Sequence, residues 1–234
     1  MQLQEALDLY QGSPLQTDSL SEYQQWALPF FHNQQIIKNP NLSMTLQLEL
    51  GEARSTYEQN FQRTPKASFQ AYLVWNLVKA LAQEWTFSTR EIEGQWYLFK
   101  NLPLYFTIAV GGEARFKEVL INDAAHMDWA TFTQTYRDTI DKPSIKVGDI
   151  PPLTWAISHF IGNLPKLNFT SFQIHQGILE AGRPSFYFGQ RNQRHGKTIV
   201  PLSITFDHAN ADPYVLDQLI QTYQGLMAPT DQRS

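Results

Sequence analysis

The stretch best equipped for chemistry is Val200-Pro201-Leu202-Ser203-Ile204-Thr205-Phe206-Asp207-His208-Ala209-Asn210-Ala211-Asp212. Side chains alternate along a strand, so Leu202, Ile204, Phe206 and His208 share one face while Ser203, Thr205 and Asp207 share the other. His208 therefore ends an apolar row. An imidazole at the mouth of such a row can stay neutral with one ring nitrogen free, the state a general base needs. A strand-end histidine satisfied by a backbone carbonyl fits the same pattern, and both roles are open. Asp212 precedes Pro213, and aspartate before proline is a helix-start signal with the carboxylate as N-cap. A second stretch, Asn168-Phe169-Thr170-Ser171-Phe172, sets the Ser171 hydroxyl among aromatics, where bonding to a neighbouring backbone group is one available role. His175 alternates with Ser171 and reads as a structural or pocket-lining group. His32, His126, His159 and His195 have neither a paired carboxylate nor ligand-like spacing in the sequence, which argues against a metal site. The chain has no Cys, which excludes a thiolate nucleophile, a disulfide scaffold and a Cys-type zinc site.

The elements that must position these groups follow from periodicity. Ser19 or Ser21 is expected to cap a helix through Tyr23 and Trp26 that Pro29 breaks or bends before Phe30-Phe31. Met44, Leu46, Leu48 and Leu50 alternate as a strand with one buried face. Ala67 to Gln83 carries Tyr72, Leu73, Trp75, Leu77, Val78 and Leu81 at helical spacing and reads as the central buried helix. Thr86 to Ile92 and Gln95 to Lys100 are expected strands joined by a tight turn at Glu93-Gly94, and Leu104 to Val110 a third. Met127 to Ile140 fits an amphipathic helix begun near Asp128. Asn168 to Ile174, Pro184 to Gln190 and Thr198 to His208 read as successive strands, and Asp212-Pro213 opens a last helix with Leu216, Leu219, Ile220 and Tyr223 in one stripe before Gly225. Interleaved helices and strands of this kind predict an α/β layered fold, a mixed β-sheet flanked by helices.

Composition narrows the function classes. In 234 residues, 42% are apolar and 17% charged, and 15 Phe, 10 Tyr and 6 Trp supply a large core. With 22 acidic against 18 basic residues, the formal charge of −4 offers no broad field for nucleic acid or an anionic membrane. No basic leader and no long apolar run is present, so a soluble, cytoplasmic protein without membrane contact is expected. No repeat or linker divides the sequence, and the expected organisation is one domain over 1–234, with 1–18 as an N-terminal extension and 228–234 as a flexible tail. Glycine-rich phosphate loops of the G-x-G-x-x-G or G-x-x-x-x-G-K type are absent, which removes support for nucleotide hydrolysis and hydride transfer.

The segment from Pro201 to Leu226 resembles the C-terminal active-site region of the chloramphenicol acetyltransferase family. There, an apolar strand beginning Pro-Leu runs into His-His-x-x-x-Asp-Gly and an amphipathic helix. Asn168-Phe169-Thr170-Ser171-Phe172 resembles that family's aromatic-rich serine motif, and Asp207-His208 is closer to the Asp-His version found in the acyltransferase cores of 2-oxo acid dehydrogenase complexes. The resemblance covers most of the chain from about Tyr23 onward. It implies a chloramphenicol acetyltransferase-like CoA-dependent acyltransferase fold, a homotrimer with its active site between subunits, and acetyl-CoA or another acyl-CoA as co-substrate with no permanently bound cofactor. On that resemblance His208 is the general base that activates a small-molecule hydroxyl, Ser171 donates to the tetrahedral oxyanion, and Asp212 supports the turn. Such a donor is typically worth about 3 kcal/mol in the transition state. Tyr187 matches a channel-lining position, and Arg183, Arg191, Arg194 and Lys197 form the densest basic cluster, either a contact for CoA phosphates, with Arg191 the candidate, or a solvated strand-loop-strand tip.

Three residues depart from the family pattern. Asp207 stands for the first motif histidine, Pro213 for the glycine, and Gln24 for the arginine that pairs with the motif aspartate. Two readings follow: an acyltransferase acting on an unidentified hydroxyl acceptor, and a catalytically silent member that binds a ligand or partner as a trimer. A full dehydrogenase-complex acyltransferase is disfavoured, because no lipoyl-lysine segment or Ala/Pro linker is present.

Overall fold

A computed structural model describes residues 1–175 and 182–229. Its central strand, β11 (Lys197–Asp207), is covered on both faces, and Pro201 to Asp207 are all buried. Along one edge it pairs antiparallel with β2 (Asn41–Glu49), which sets Leu202 against Leu46, Ile204 against Met44 and Phe206 against Leu42. Its other edge pairs with β9 (Ser185–Phe188) and β10 (Asn192–Arg194). The sheet continues through β8 (His159–Asn163), parallel to β9 and to β5 (Leu104–Gly111). Then come β6 (Arg115–Ile121) and β7 (Ile145–Lys146), both antiparallel. The chain therefore has the expected layered α/β architecture with a mixed sheet.

One face of this sheet packs on helices. Leu202, Ile204 and Phe206 join Phe186, Phe188, Leu104 and Val119 in a core shared with α3 (Gly51–Asn60), α4 (Phe69–Gln83), α5 (Trp129–Asp141) and α7 (Pro213–Met227). Helix α4 is the centre of that layer, as its periodicity predicts. Ser68 starts it by accepting from the Ala71 N–H at 3.1 Å. Ala71, Leu77, Ala80 and Leu81 are fully buried, and the Tyr223 hydroxyl of α7 donates to the Leu73 carbonyl at 3.2 Å. Asp128 caps α5, accepting from the Thr131 N–H at 2.7 Å. The opposite sheet face carries Tyr105, Phe160 and Tyr187, then Ser203, Thr205 and Asp207. Gly162 permits a close approach there: a Cβ at this position would lie 2.4 Å from the Tyr187 ring.

A small second sheet joins β3 (Thr89–Ile92), β4 (Gln95–Phe99) and β1 (Gly12–Pro14). Glu93 and Gly94 turn the β3–β4 hairpin with φ of 53° and 82°, the left-handed pair that the Glu-Gly sequence suggests. The first half of the expected 86–92 strand is instead a 3-10 turn, Trp85–Ser88. Residues 1–18, expected as an extension, hold α1 (Leu3–Leu9) and β1. Helix α1 buries Ala6, and Tyr10 just after it packs against Phe99, Leu102 and Ile157, the last of these from α6 (Pro152–Ile157).

Helix α2 (Glu22–Phe31) is capped by Ser21 rather than Ser19, and it runs through Pro29 to Phe31. The proline stands in the final turn, where its missing N–H removes a single helical bond. Helix α7 likewise continues past Gly225. Asn168 to Ile174 form no strand. Phe169 packs over Gly189 and Phe172 against Tyr187, with ring centroids 4.9 Å apart, so the aromatics of this segment cover the sheet instead of pairing with it. Of the expected tail, residues 230–234 lie outside the described residues.

Candidate active site

The turn that follows β11 is tied to its surroundings at nearly every residue. The Asp207 carboxylate is buried and accepts from the Gly182 N–H at 3.1 Å and the Ala209 N–H at 2.8 Å. The His208 N–H donates to the Pro40 carbonyl at 2.9 Å, and the Ala211 N–H to the Asp207 carbonyl at 3.1 Å. Asn210 reaches across with its amide to the Thr86 carbonyl, the Thr89 hydroxyl and the Gly182 carbonyl at 2.8 to 3.2 Å. Asp212 then caps α7, accepting from the Val215 N–H at 2.9 Å, as the Asp-Pro pair predicts.

His208 stands at this strand end half-buried, its ring stacked on Phe31 with centroids 4.1 Å apart and an interplanar angle of 25°. Its Nδ1 lies 3.2 Å from the Ala211 carbonyl oxygen. A carbonyl only accepts, so Nδ1 carries the proton of the neutral ring, and the lone pair sits on Nε2. The carbonyl that satisfies one nitrogen thus selects the tautomer whose other nitrogen has no hydrogen-bond partner among the described residues.

Asp207 has a further partner that its sequence neighbours do not disclose. His32, the C-cap of α2, donates from Nε2 to Asp207 Oδ2 at 2.7 Å, and its Nδ1 faces Glu91 at 3.8 Å. Burial disfavours the charged ring, but the bond and charge of Asp207, with the charge of Glu91, outweigh it. The His32 pKa is accordingly raised above the ordinary histidine value. The position matched to the family's arginine, Gln24, is used locally, where its side-chain oxygen accepts from the Ser21 N–H at 3.1 Å and completes the α2 cap.

Beside this cluster lies an open cavity of about 1130 Å³, walled by Phe31, His32, Glu91, Trp96, His175 and Asp207 among others. His208 and Ser171 do not line it, whereas Phe31, which stacks on the His208 ring, and Gln173, two residues past Ser171, do. Ser171 is exposed on the irregular segment, and within the chain no hydrogen bond joins it to His208 among the described residues. The expected basic cluster is dispersed. Arg183 is buried over the Trp155 ring at 4.3 Å, Lys197 pairs with Glu49 at 2.8 Å, and Arg191 bonds Gln70 and covers the Phe69 ring. Arg191 thus belongs to the helical layer, whereas Tyr187 is half-buried on the other sheet face beside Phe160 and Phe172, so the two do not meet. Among the described residues no group of His, Asp and Glu is arranged to hold a metal ion, and no helix is long and apolar enough to cross a membrane.

The fold is similar to that of chloramphenicol acetyltransferase and of the catalytic cores of 2-oxoacid dehydrogenase complexes. The structure of chloramphenicol acetyltransferase superposes with a TM-score of 0.77 at 19% identity, covering 92% of this chain and 99% of that one. The truncated catalytic core of the 2-oxoacid dehydrogenase multienzyme complex from Thermoplasma acidophilum matches with a TM-score of 0.64 at 14% identity, over 91% and 98% of the two chains. Dihydrolipoamide acetyltransferase of Azotobacter vinelandii gives 0.64 at 14% identity, over 87% of each. No protein-family profile matches the sequence, and no curated protein does either. At these identities the likeness establishes the fold.

Proposed function

We propose that this protein transfers an acetyl or other short acyl group from acyl-CoA to a hydroxyl of a small molecule, with His208 as general base. The observation that carries the reading is the Nδ1–H bond to the Ala211 carbonyl, which leaves His208 Nε2 as a lone-pair donor at the end of a rigid strand. In the proposed reaction Nε2 takes the proton of the acceptor hydroxyl, and the oxygen attacks the thioester carbonyl to form a tetrahedral oxyanion. Collapse breaks the carbon–sulfur bond, and the CoA thiolate recovers the proton from the imidazolium, so the products are an ester and free CoA. Ser171 is assigned the oxyanion donor. It is exposed and has no hydrogen bond to His208 within one chain among the described residues, so the reading places it at the site through a neighbouring subunit of a homotrimer. Tyr187 is kept on the path of acyl-CoA; Arg191, in the helical layer, is not used.

A second reading is favoured by the cavity itself, whose wall holds His32, Glu91 and Asp207 and excludes His208: a catalytically silent trimer that binds a small ligand there. One experiment separates the two. Wild-type protein is incubated with acetyl-CoA and with longer acyl-CoAs over an alcohol library, and both free thiol and acyl ester are followed. Ester formation with stoichiometric thiol supports transfer. Library members that raise the melting temperature while no acyl-CoA yields thiol would overturn it in favour of the binding reading.

A further inference from the structure

Two pairs of consecutive residues lock together at the end of β11. Phe31 stacks on His208, and the next residue, His32, donates to Asp207, the residue before His208. The C-terminus of α2 thereby grips both members of Asp207-His208 at once. We infer that His32 is a positioning residue for His208. It fixes the carboxylate that orders the turn and keeps Phe31 seated on the catalytic ring. The inference rests on the reading of His208 as the base.

The geometry gives Asp207 three loads to carry. Oδ1 accepts from the Ala209 N–H, one residue past His208, and Oδ2 accepts from both Gly182 N–H and His32 Nε2. The Asp207 side chain is 3% exposed, and among the described residues the only ionisable side chain within ion-pair distance of it is His32. Removing that partner leaves a buried carboxylate uncompensated, a costly state that favours rotation of the side chain toward water and release of the Ala209 N–H. The turn from Asp207 to Ala211 would then lose the bond that sets the Ala211 carbonyl opposite His208 Nδ1. His32 is itself held from three elements: Asp207 on β11, Glu91 on β3 and the Trp96 ring on β4, 5.2 Å away. Among these, the two carboxylates are the titratable groups.

The test uses the full chain with 15N-labelled histidine. In wild type the His208 ring should give the Nδ1–H tautomer. In His32→Ala it should become a mixture of tautomers, and His32→Gln, whose amide can donate to Asp207, should restore the wild-type pattern. Thiol release from acetyl-CoA, measured in parallel with an acceptor drawn from the alcohol library, should show kcat falling about tenfold to a hundredfold in His32→Ala. KM for acetyl-CoA should stay within about twofold, with recovery in His32→Gln. Should His32→Ala not fold, His32→Phe keeps a ring against Trp96 and carries the same comparison. A wild type that releases no thiol refutes acyl transfer but leaves the tautomer measurement to decide the positioning role. A folded variant without the His32–Asp207 bond that keeps the wild-type His208 tautomer overturns the inference.

Discussion

The positions of His208 at a strand end and of Asp212 at a helix start are legible in the sequence because both are set locally. Strand alternation places the first at the end of an apolar row, and an Asp-Pro pair makes the second a cap. His32 was not legible, since its partner Asp207 lies 175 positions away and nothing near either residue signals the contact. The strand expected around Ser171 is absent for a related reason: the spacing of Phe169 and Phe172 suits rings that pack over a sheet as well as residues within a strand. The His32 pair makes a prediction with a definite sign. Because its folded-state pKa is raised, the ion pair contributes stability that is complete below the ordinary histidine value of 6.5 and is lost as pH rises through the folded-state value. The melting temperature of wild type should therefore exceed that of His32→Gln most at acidic pH within the range where both are folded, and the gap should narrow as pH rises. A gap that widens with pH would contradict the assigned charge.

The elements that carry the site divide in the same way. Helices α5 and α7 announce themselves through a cap and an apolar stripe, and Asp128 and Asp212 each accept the expected backbone N–H, whereas α4 is marked by its stripe alone and the structure adds Ser68 as its cap. Helix α3 was not foreseen, because it buries only Ala53, Thr56 and Tyr57 and so presents no long stripe. Strand β8 escaped for the opposite reason: His159 to Gly162 are all buried, so no alternation marks them, and Gly162 is explained only by the Tyr187 ring lying over it. At this scale Asp212→Ala removes the cap of α7 while leaving its packing intact. The expected cost is about 1 kcal/mol of stability, measured by urea unfolding. A loss several times larger would mean that Asp212 holds the catalytic turn directly and not only through the helix.

In the whole molecule, one sheet face is spent on the helical core, and the other presents Tyr187, the Ser171 segment and the end of β11. If a neighbouring subunit completes the site across that face, His208→Ala and Ser171→Ala proteins, each strongly impaired alone, should recover activity when unfolded together and refolded as mixed trimers. Mixtures that stay inactive although mass measurement finds mixed oligomers would place both groups in one subunit or dismiss Ser171. The central claim, that His208 is the base for acyl transfer, is tested most directly by thiol release from acetyl-CoA at saturating acceptor, comparing wild type with His208→Ala of equal melting temperature. The account predicts a fall in kcat of about a hundredfold to ten-thousandfold, the range a positioned general base supplies. Equal rates from the two proteins would contradict it.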